Sequence, residues 1–353
     1  MKTPTQRTWI CWALAVVCLA YAPLRWVSKA HAQEGERLYA EAFAYSDIVE
    51  RYAVGYTDED TTFEVLIYDA PTDQLLHTVE IPDPRLNRFY HQLYYGDFDF
   101  SPQGDRLAIS LEGPNGGGFF IIDVATGQLV LYQPWASIWF LAWSPDANYL
   151  AGIYHYSITG GLDGWLALWD ARTGEEIKQH PILTSPFAVD WHPADDRLAF
   201  ADRNFVVIWD VEAWREVYRV PAADDYVEYV YRIAWNPSGD RFAALSDDDV
   251  LSLWDKNSGE LPLQIDVGPL GAGAIEMFWS PDSQWIGLSD SNRLRLWNAN
   301  TGDLAFTHEQ EWPSQFYGAT FVSDRKIMYV SGYAVESLEI SFTREDSSVN
   351  GNR

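Results

Sequence analysis

The chain has 353 residues, 47% of them hydrophobic and 15% aromatic, while only 21% are charged. That balance provides for a large core and excludes disorder, coiled coils and Ala/Glu/Lys/Leu-rich helical assemblies. The formal net charge of −27 gives a surface that repels phosphate backbones, which excludes nucleic acid as a partner.

The chain opens with Lys2 and Arg7, an apolar run from Trp9 to Ala22, and a small-x-small site at Ala30-His31-Ala32. This is the layout of a secretory signal peptide over residues 1–32. The run falls short of the roughly 17 residues that a spanning helix needs. Arg25 and Lys29 between run and cleavage site leave an uncleaved N-terminal anchor as the alternative. Val17 before Cys18 excludes a lipoprotein signal. Both cysteines, Cys11 and Cys18, fall inside this segment, so the mature chain is expected to lack disulfide and thiolate chemistry. Without the segment 20 Lys+Arg face 51 Asp+Glu, a net charge of −31. Asn236-Pro237-Ser238 is blocked for glycosylation by its proline. The expectation is an extracytoplasmic protein, secreted or in a bacterial envelope, with no membrane insertion once the signal is removed.

From Tyr45 onward a period of about 44 residues takes over. Phe100-Ser101-Pro102, Trp143-Ser144-Pro145, Trp191-His192-Pro193, Trp235-Asn236-Pro237 and Trp279-Ser280-Pro281 share one pattern. Tyr45-Ser46-Asp47 and Phe321-Val322-Ser323 flank them as weaker copies, and the spacings are 55, 43, 48, 44, 44 and 42 residues. Seven positions after the aromatic stands a bulky residue (Tyr52, Leu107, Leu150, Leu198, Phe242, Ile286), followed each time by Ala or Gly. A second motif tracks the first: Trp169-Asp170, Trp209-Asp210, Trp254-Asp255 and Trp297-Asn298 end short alternating strands. Tyr68-Asp69, Ile122-Asp123 and Ile340 take that place in the other copies. Turn residues follow at Thr126-Gly127, Thr173-Gly174, Ser258-Gly259 and Thr301-Gly302, where Gly supplies a positive φ. The fourth repeat has Ala213-Trp214 instead.

Each repeat therefore reads as four short strands with no helical period between them. One such sheet cannot bury both faces, but seven arranged radially can. The fold expected is an all-β, seven-bladed β-propeller of four-stranded antiparallel blades over residues 33–342, with a polar, disordered tail at 343–353. Trp143, Trp169, Trp191, Trp209, Trp235, Trp254, Trp279 and Trp297 are expected to wedge between neighbouring blades. This repeated set resembles the WD40-repeat β-propeller family over about residues 38–341, and also envelope propellers such as that of the Tol system. The resemblance implies a scaffold for protein–protein contacts. No Gly-His dipeptide precedes the inner strands, so the network that the family builds from that histidine is expected to be absent. No clear outer strand follows Ile340, and Gln33–Leu38 is the candidate to supply one.

Catalytic chemistry finds little support. There is no Gly-x-Ser-x-Gly elbow, His-Glu-x-x-His, Cys-x-x-Cys or phosphate-binding glycine loop. His192 replaces the serine of the repeat and reads as a turn residue, while His91, His155, His180 and His308 fall in or beside loops that could share one face. The turns from second to third strand carry acids: Asp58, Glu59, Asp60, Asp163, Asp202, Asp247, Asp248, Asp249 and Asp290. Asp is a good turn former, but three consecutive acids at 247–249 exceed what a turn needs. They suggest an electronegative rim for a basic partner, or for Ca²⁺ as the one cofactor considered. The crossovers on the same face carry Trp135, Trp139, Tyr226, Tyr229 and Trp312 as aromatic anchors for a protein or peptide. The expectation is a non-catalytic binding propeller, its oligomeric state unassigned. A lactonase- or quinoprotein-like enzyme with a metal or cofactor in the channel, or a glycan-binding propeller, is the alternative.

Overall fold

The computed structural model describes residues 39–57, 63–81, 97–111, 117–135, 137–155, 164–182, 188–222, 230–257, 263–271, 275–310, 316–331 and 334–340. Residues 1–32, where a signal peptide is expected, the segment Gln33–Leu38 and residues 343–353 lie outside them.

Seven antiparallel sheets follow one another along the chain. Blade 1 holds β1 (Tyr39–Ser46), β2 (Arg51–Thr57), β3 (Phe63–Asp69) and β4 (Gln74–Glu80). Blade 2 holds β5 (Phe98–Phe100), β6 (Arg106–Leu111), β7 (Gly117–Asp123) and β8 (Gln128–Trp135). Blade 3 holds β9 (Ser137–Trp143), β10 (Tyr149–His155), β11 (Gly164–Asp170) and β12 (Glu176–Ile182). Blade 4 holds β13 (Val189–Trp191), β14 (Arg197–Asp202), β15 (Phe205–Asp210) and β16 (Arg215–Pro221). Blade 5 holds β17 (Val230–Trp235), β18 (Arg241–Ser246), β19 (Val250–Asp255) and β20 (Leu263–Asp266). Blade 6 holds β21 (Glu276–Trp279), β22 (Trp285–Ser289), β23 (Arg293–Asn298) and β24 (Leu304–Glu309). Blade 7 shows three strands among the described residues, β25 (Phe316–Ser323), β26 (Lys326–Ser331) and β27 (Ala334–Glu339).

The first strand of every blade touches the first strand of the next, and β25 touches β1, so the inner strands form a closed ring. The chain is an all-β, seven-bladed β-propeller.

Why the ring holds follows from strand composition. The second and third strands are apolar on both faces, as in β15, where Val206, Val207, Ile208 and Trp209 are all buried. A sheet with two apolar faces must be covered on both. Among the described residues apolar clusters fill each blade boundary. Trp143 and Trp169 pack with Phe119 and Ile121 of blade 2, and Trp191 and Trp209 with Leu166 and Leu168 of blade 3. Trp235 and Trp254 meet Val206 and Ile208 of blade 4; Trp279 and Trp297 meet Leu251 and Leu253 of blade 5. At the blade 7–1 boundary Tyr52 and Tyr68 pack with Met328 and Val330, with Tyr45 beside them, so Tyr45 and Tyr68 stand in for the tryptophan pair. The indole N–H groups of Trp169 and Trp209 have no partner among the described residues, which fits a chain without the Gly-His element.

The two repeated motifs are turn devices. The Ser144 hydroxyl accepts from Tyr149 N–H at 2.9 Å and donates to Asp146 at 2.7 Å. Ser101 and Ser280 do the same with Arg106 and Asp105, and with Trp285 and Asp282. In the Trp-Asp hairpin, Asp170 Oδ1 accepts from the N–H groups of Arg172 and Thr173 at 2.9 and 2.8 Å. Four residues after that acid the backbone turns left-handed, at Gly127, Gly174 and Gly302, but also at Asp73 and Trp214. Trp214 therefore occupies a glycine position at φ 51°. Its ring packs edge-on against Trp209 at 5.7 Å beneath Lys178, contacts that offset the backbone strain.

Candidate functional site in the channel and on the loop face

The inner strands enclose a central channel of about 870 Å³. Its wall carries Asp97 and Asp99 from blade 2, Asp190 from blade 4, Arg232 from blade 5 and Glu276 from blade 6. Arg232 ion-pairs with Glu276 at 3.3 Å and lies 4.6 Å over the Phe140 ring. Each inner strand has a ladder partner on one side only, so alternate N–H groups on its other edge need an acceptor. The channel acids provide it across blade boundaries. Asp97 accepts from Leu141 N–H at 3.3 Å, and Asp99 from Trp143 N–H at 3.1 Å. Asp190 accepts from Trp235 N–H at 2.6 Å and from Trp191 N–H at 2.8 Å. Burial pushes Asp97 well above the usual carboxylate range, with Glu276 and Asp99 adding to the shift. Burial also raises Asp99 and Asp190 to about 7 each, against the lowering effect of the N–H bonds they accept.

Sequence reasoning missed this group. The signal was an acid directly before the aromatic of the repeat (Asp99-Phe100, Asp190-Trp191), where other blades have Ala44, Ala142 and Ala234.

On the face carrying the second-to-third-strand turns, the structure divides the expected rim. Asp247, Asp248 and Asp249 sit in the β18–β19 turn, Asp248 exposed and the other two half-buried. The Ser246 hydroxyl donates to Asp248 at 2.6 Å, and Asp249 N–H donates to Ser246 O at 3.2 Å with Asp249 at φ 62°. Asp202 and Asp290 are corrections, because both are buried, at 8% and 1% exposure. Asp202 pairs with Arg219 at 3.4 Å. Asp290 accepts from the N–H groups of Asn292 and Arg293 and pairs with Arg293 at 3.4 Å and Arg295 at 3.3 Å. Their carboxylates are consumed inside the fold and cannot serve as a rim. Asp58, Glu59, Asp60, Asp163, Tyr226, Tyr229 and Trp312 lie outside the described residues. Trp135 ends β8 and Trp139 lies within β9, so both stand in strands and not in a crossover loop; their side chains are outside what is described.

The histidines whose side chains are described do not converge. His180 lies in β12 against Trp209 at 4.3 Å, and His308 in β24 against Tyr329 at 5.7 Å. His155 ends β10, and His91 is outside the described residues. Among the described residues no group of three His, Cys, Asp or Glu side chains is placed to hold a metal ion. His192 is a buried turn residue. Its Nδ1 accepts from Ala194 and Asp195 N–H at 3.1 and 2.8 Å, which leaves the proton on Nε2 to donate to Gly239 O at 2.8 Å. Burial lowers its pKa, consistent with a neutral ring joining blades 4 and 5.

Comparison with known proteins agrees with this geometry. The family description "WD domain, G-beta repeat" matches residues 218–255, a span from the outer strand of blade 4 to the Trp-Asp of blade 5. Coronin-7 of Rattus norvegicus is 29% identical over 161 residues, 42% of this chain and 16% of that protein. WD repeat-containing protein 1 of Gallus gallus is 27% identical over 192 residues, 52% of this chain and 30% of that protein. The chain thus spans less than a third of either relative. The Cps50 (Swd1) β-propeller domain of Myceliophteria thermophila superposes with a TM-score of 0.66 at 12% identity, covering 86% of this chain and 97% of that one. At that identity the likeness is one of fold. With seven blades closed into a ring, Trp-Asp hairpins in three of them and one repeat matching the family's model at residues 218–255, the chain is a β-propeller similar to WD40-repeat proteins.

Proposed function

We propose that the chain is an exported, non-catalytic propeller that binds a basic protein or peptide through its acidic loop face. WD40 propellers serve generally as protein-interaction scaffolds. The observation that carries the finer reading is the turn from Ser246 to Val250. Three consecutive acids stand there, with Asp248 accepting from the Ser246 hydroxyl at 2.6 Å and the Asp249 N–H closing the turn onto Ser246 O at 3.2 Å. A preorganised acidic turn on a chain of net charge −27 attracts a cationic partner from a distance and loses little entropy on contact. The export expectation adds to this reading through the signal-like N-terminus. The engagement of Asp97, Asp99 and Asp190 by backbone N–H groups supports a structural channel over a catalytic one.

The test is binding of Lys/Arg-rich peptides to the full chain and to its Asp247→Asn/Asp248→Asn/Asp249→Asn variant at low and high salt. Three charges at roughly 0.3–0.5 kcal/mol each predict about a tenfold loss of affinity at low salt and a flatter salt dependence. Equal affinities at low salt would sink the reading.

A further inference from the structure

The channel acids do something that neither the binding reading nor the fold requires. The boundaries between blades 2 and 3 and between blades 4 and 5 are bridged at the inner ring by carboxyl groups. Asp97 and Asp99 reach β9, and Asp190 reaches β17. At the equivalent position the other inner strands carry Ala44, Ala142, Ala234, Phe278 and Thr320, so these bridges are local to two boundaries. The charged groups facing them are few. Glu276 of β21 and Arg232 of β17 line the same channel, with Tyr45 of β1, Tyr231 of β17 and Tyr317 of β25, and Asp47 stands at its mouth. Arg232 is committed to Glu276. Asp97, Asp99 and Asp190 make no ion pair among the described residues.

We propose that the inner ring is a proton-operated clasp. Protonated, the carboxyl groups of Asp97, Asp99 and Asp190 hold the 2–3 and 4–5 boundaries closed. Ionised together, they repel one another and loosen those two boundaries. A neutral carboxyl still offers its carbonyl oxygen to the facing N–H and has no charge to desolvate. Ionisation makes each N–H bond stronger by itself. It also leaves three carboxylates and Glu276 facing one guanidinium across the channel, and their mutual repulsion outweighs that gain. The direction follows from linkage. A carboxyl raised in the folded state favours folding most at acid pH, below its unfolded value near 3.9, and that advantage is lost as pH climbs to about 7. The clasp therefore works near neutrality, where small changes in acidity move it.

Amide hydrogen exchange on the full chain tests the clasp, with rates corrected for the intrinsic effect of pH. Protection of the Leu141, Trp143 and Trp235 amides should fall about tenfold between about pH 6 and about pH 8.5, one unit of differential ionisation. The Trp279 amide, at a boundary with no carboxyl bridge, should hold constant. Asp99→Asn keeps an oxygen acceptor without a titrating proton and should flatten the response at Trp143. Asp190→Asn should do so at Trp235. A pH-independent protection at these amides in the unmodified chain overturns the clasp, and so does a loss shared equally by Trp279. Should either variant fail to fold, the comparison of amides in the unmodified chain decides alone.

Discussion

Replacing Trp169 with alanine should destabilise the propeller by about 3–5 kcal/mol. A chemical unfolding curve would show this as a lower midpoint at unchanged slope. The indole is fully buried, with Phe119 of the preceding blade 5.4 Å away and Tyr154 of its own blade 6.3 Å away. Gly152 lies so close that a Cβ there would stand 2.9 Å from the ring, so the backbone of β10 already touches the indole and cannot move in to fill a void. Trp169→Phe should cost much less. It removes an N–H that has no acceptor among the described residues together with part of the ring, trading a cavity against relief of an orphaned donor. If both variants lost the same stability, the retained phenyl ring would count for nothing and packing could not account for the loss. If Trp169→Ala lost under about 1 kcal/mol, the wedge account of the blade boundaries would fail.

The same residue shows why the fold was legible in the sequence. Trp169-Asp170 recurs with its spacing because one indole fills one boundary and one carboxylate closes one hairpin. A repeated physical task leaves a repeated residue. The hairpin acids were legible for that reason too, and so was His192, a turn residue at the serine's position that bonds the Ala194 and Asp195 N–H groups instead. The channel was not. Asp97, Asp99 and Asp190 are departures from the repeat at two boundaries, and a departure reads as noise until the ring brings β5 beside β9 and β13 beside β17. The crossover aromatics fared differently again. The repeat places Trp135 and Trp139 in the crossover between blades 2 and 3. In fact β8 and β9 extend until residue 136 alone separates them; Pro134 is tolerated because β8 is the outer strand of its blade.

The acidic turns were the least separable by sequence, since an Asp after a strand can face solvent or lock a turn, and Asp248 and Asp290 look alike. Their difference yields the second large effect. Asp290→Ala should cost about 3–5 kcal/mol, because it strands a buried guanidinium. Arg295 is 6% exposed; its Nη1 donates to Val267 O, its Nη2 reaches Asp290, and its Nε has no partner among the described residues. Without the carboxylate the guanidinium keeps one carbonyl and the more distant charge of Asp249. Asp290→Asn should fall between alanine and the unmodified chain. It can still accept from the Asn292 and Arg293 N–H groups, both 2.9 Å away, but it no longer neutralises Arg295. Adding Arg295→Met to Asp290→Ala should recover most of the loss, since an unbranched apolar chain over Trp297 needs no counter-ion. Thermal unfolding of the three variants separates the roles cleanly. A rim residue would leave stability untouched and weaken binding of basic peptides. A buried counter-ion would do the reverse, and the rescue by Arg295→Met is open only to the latter.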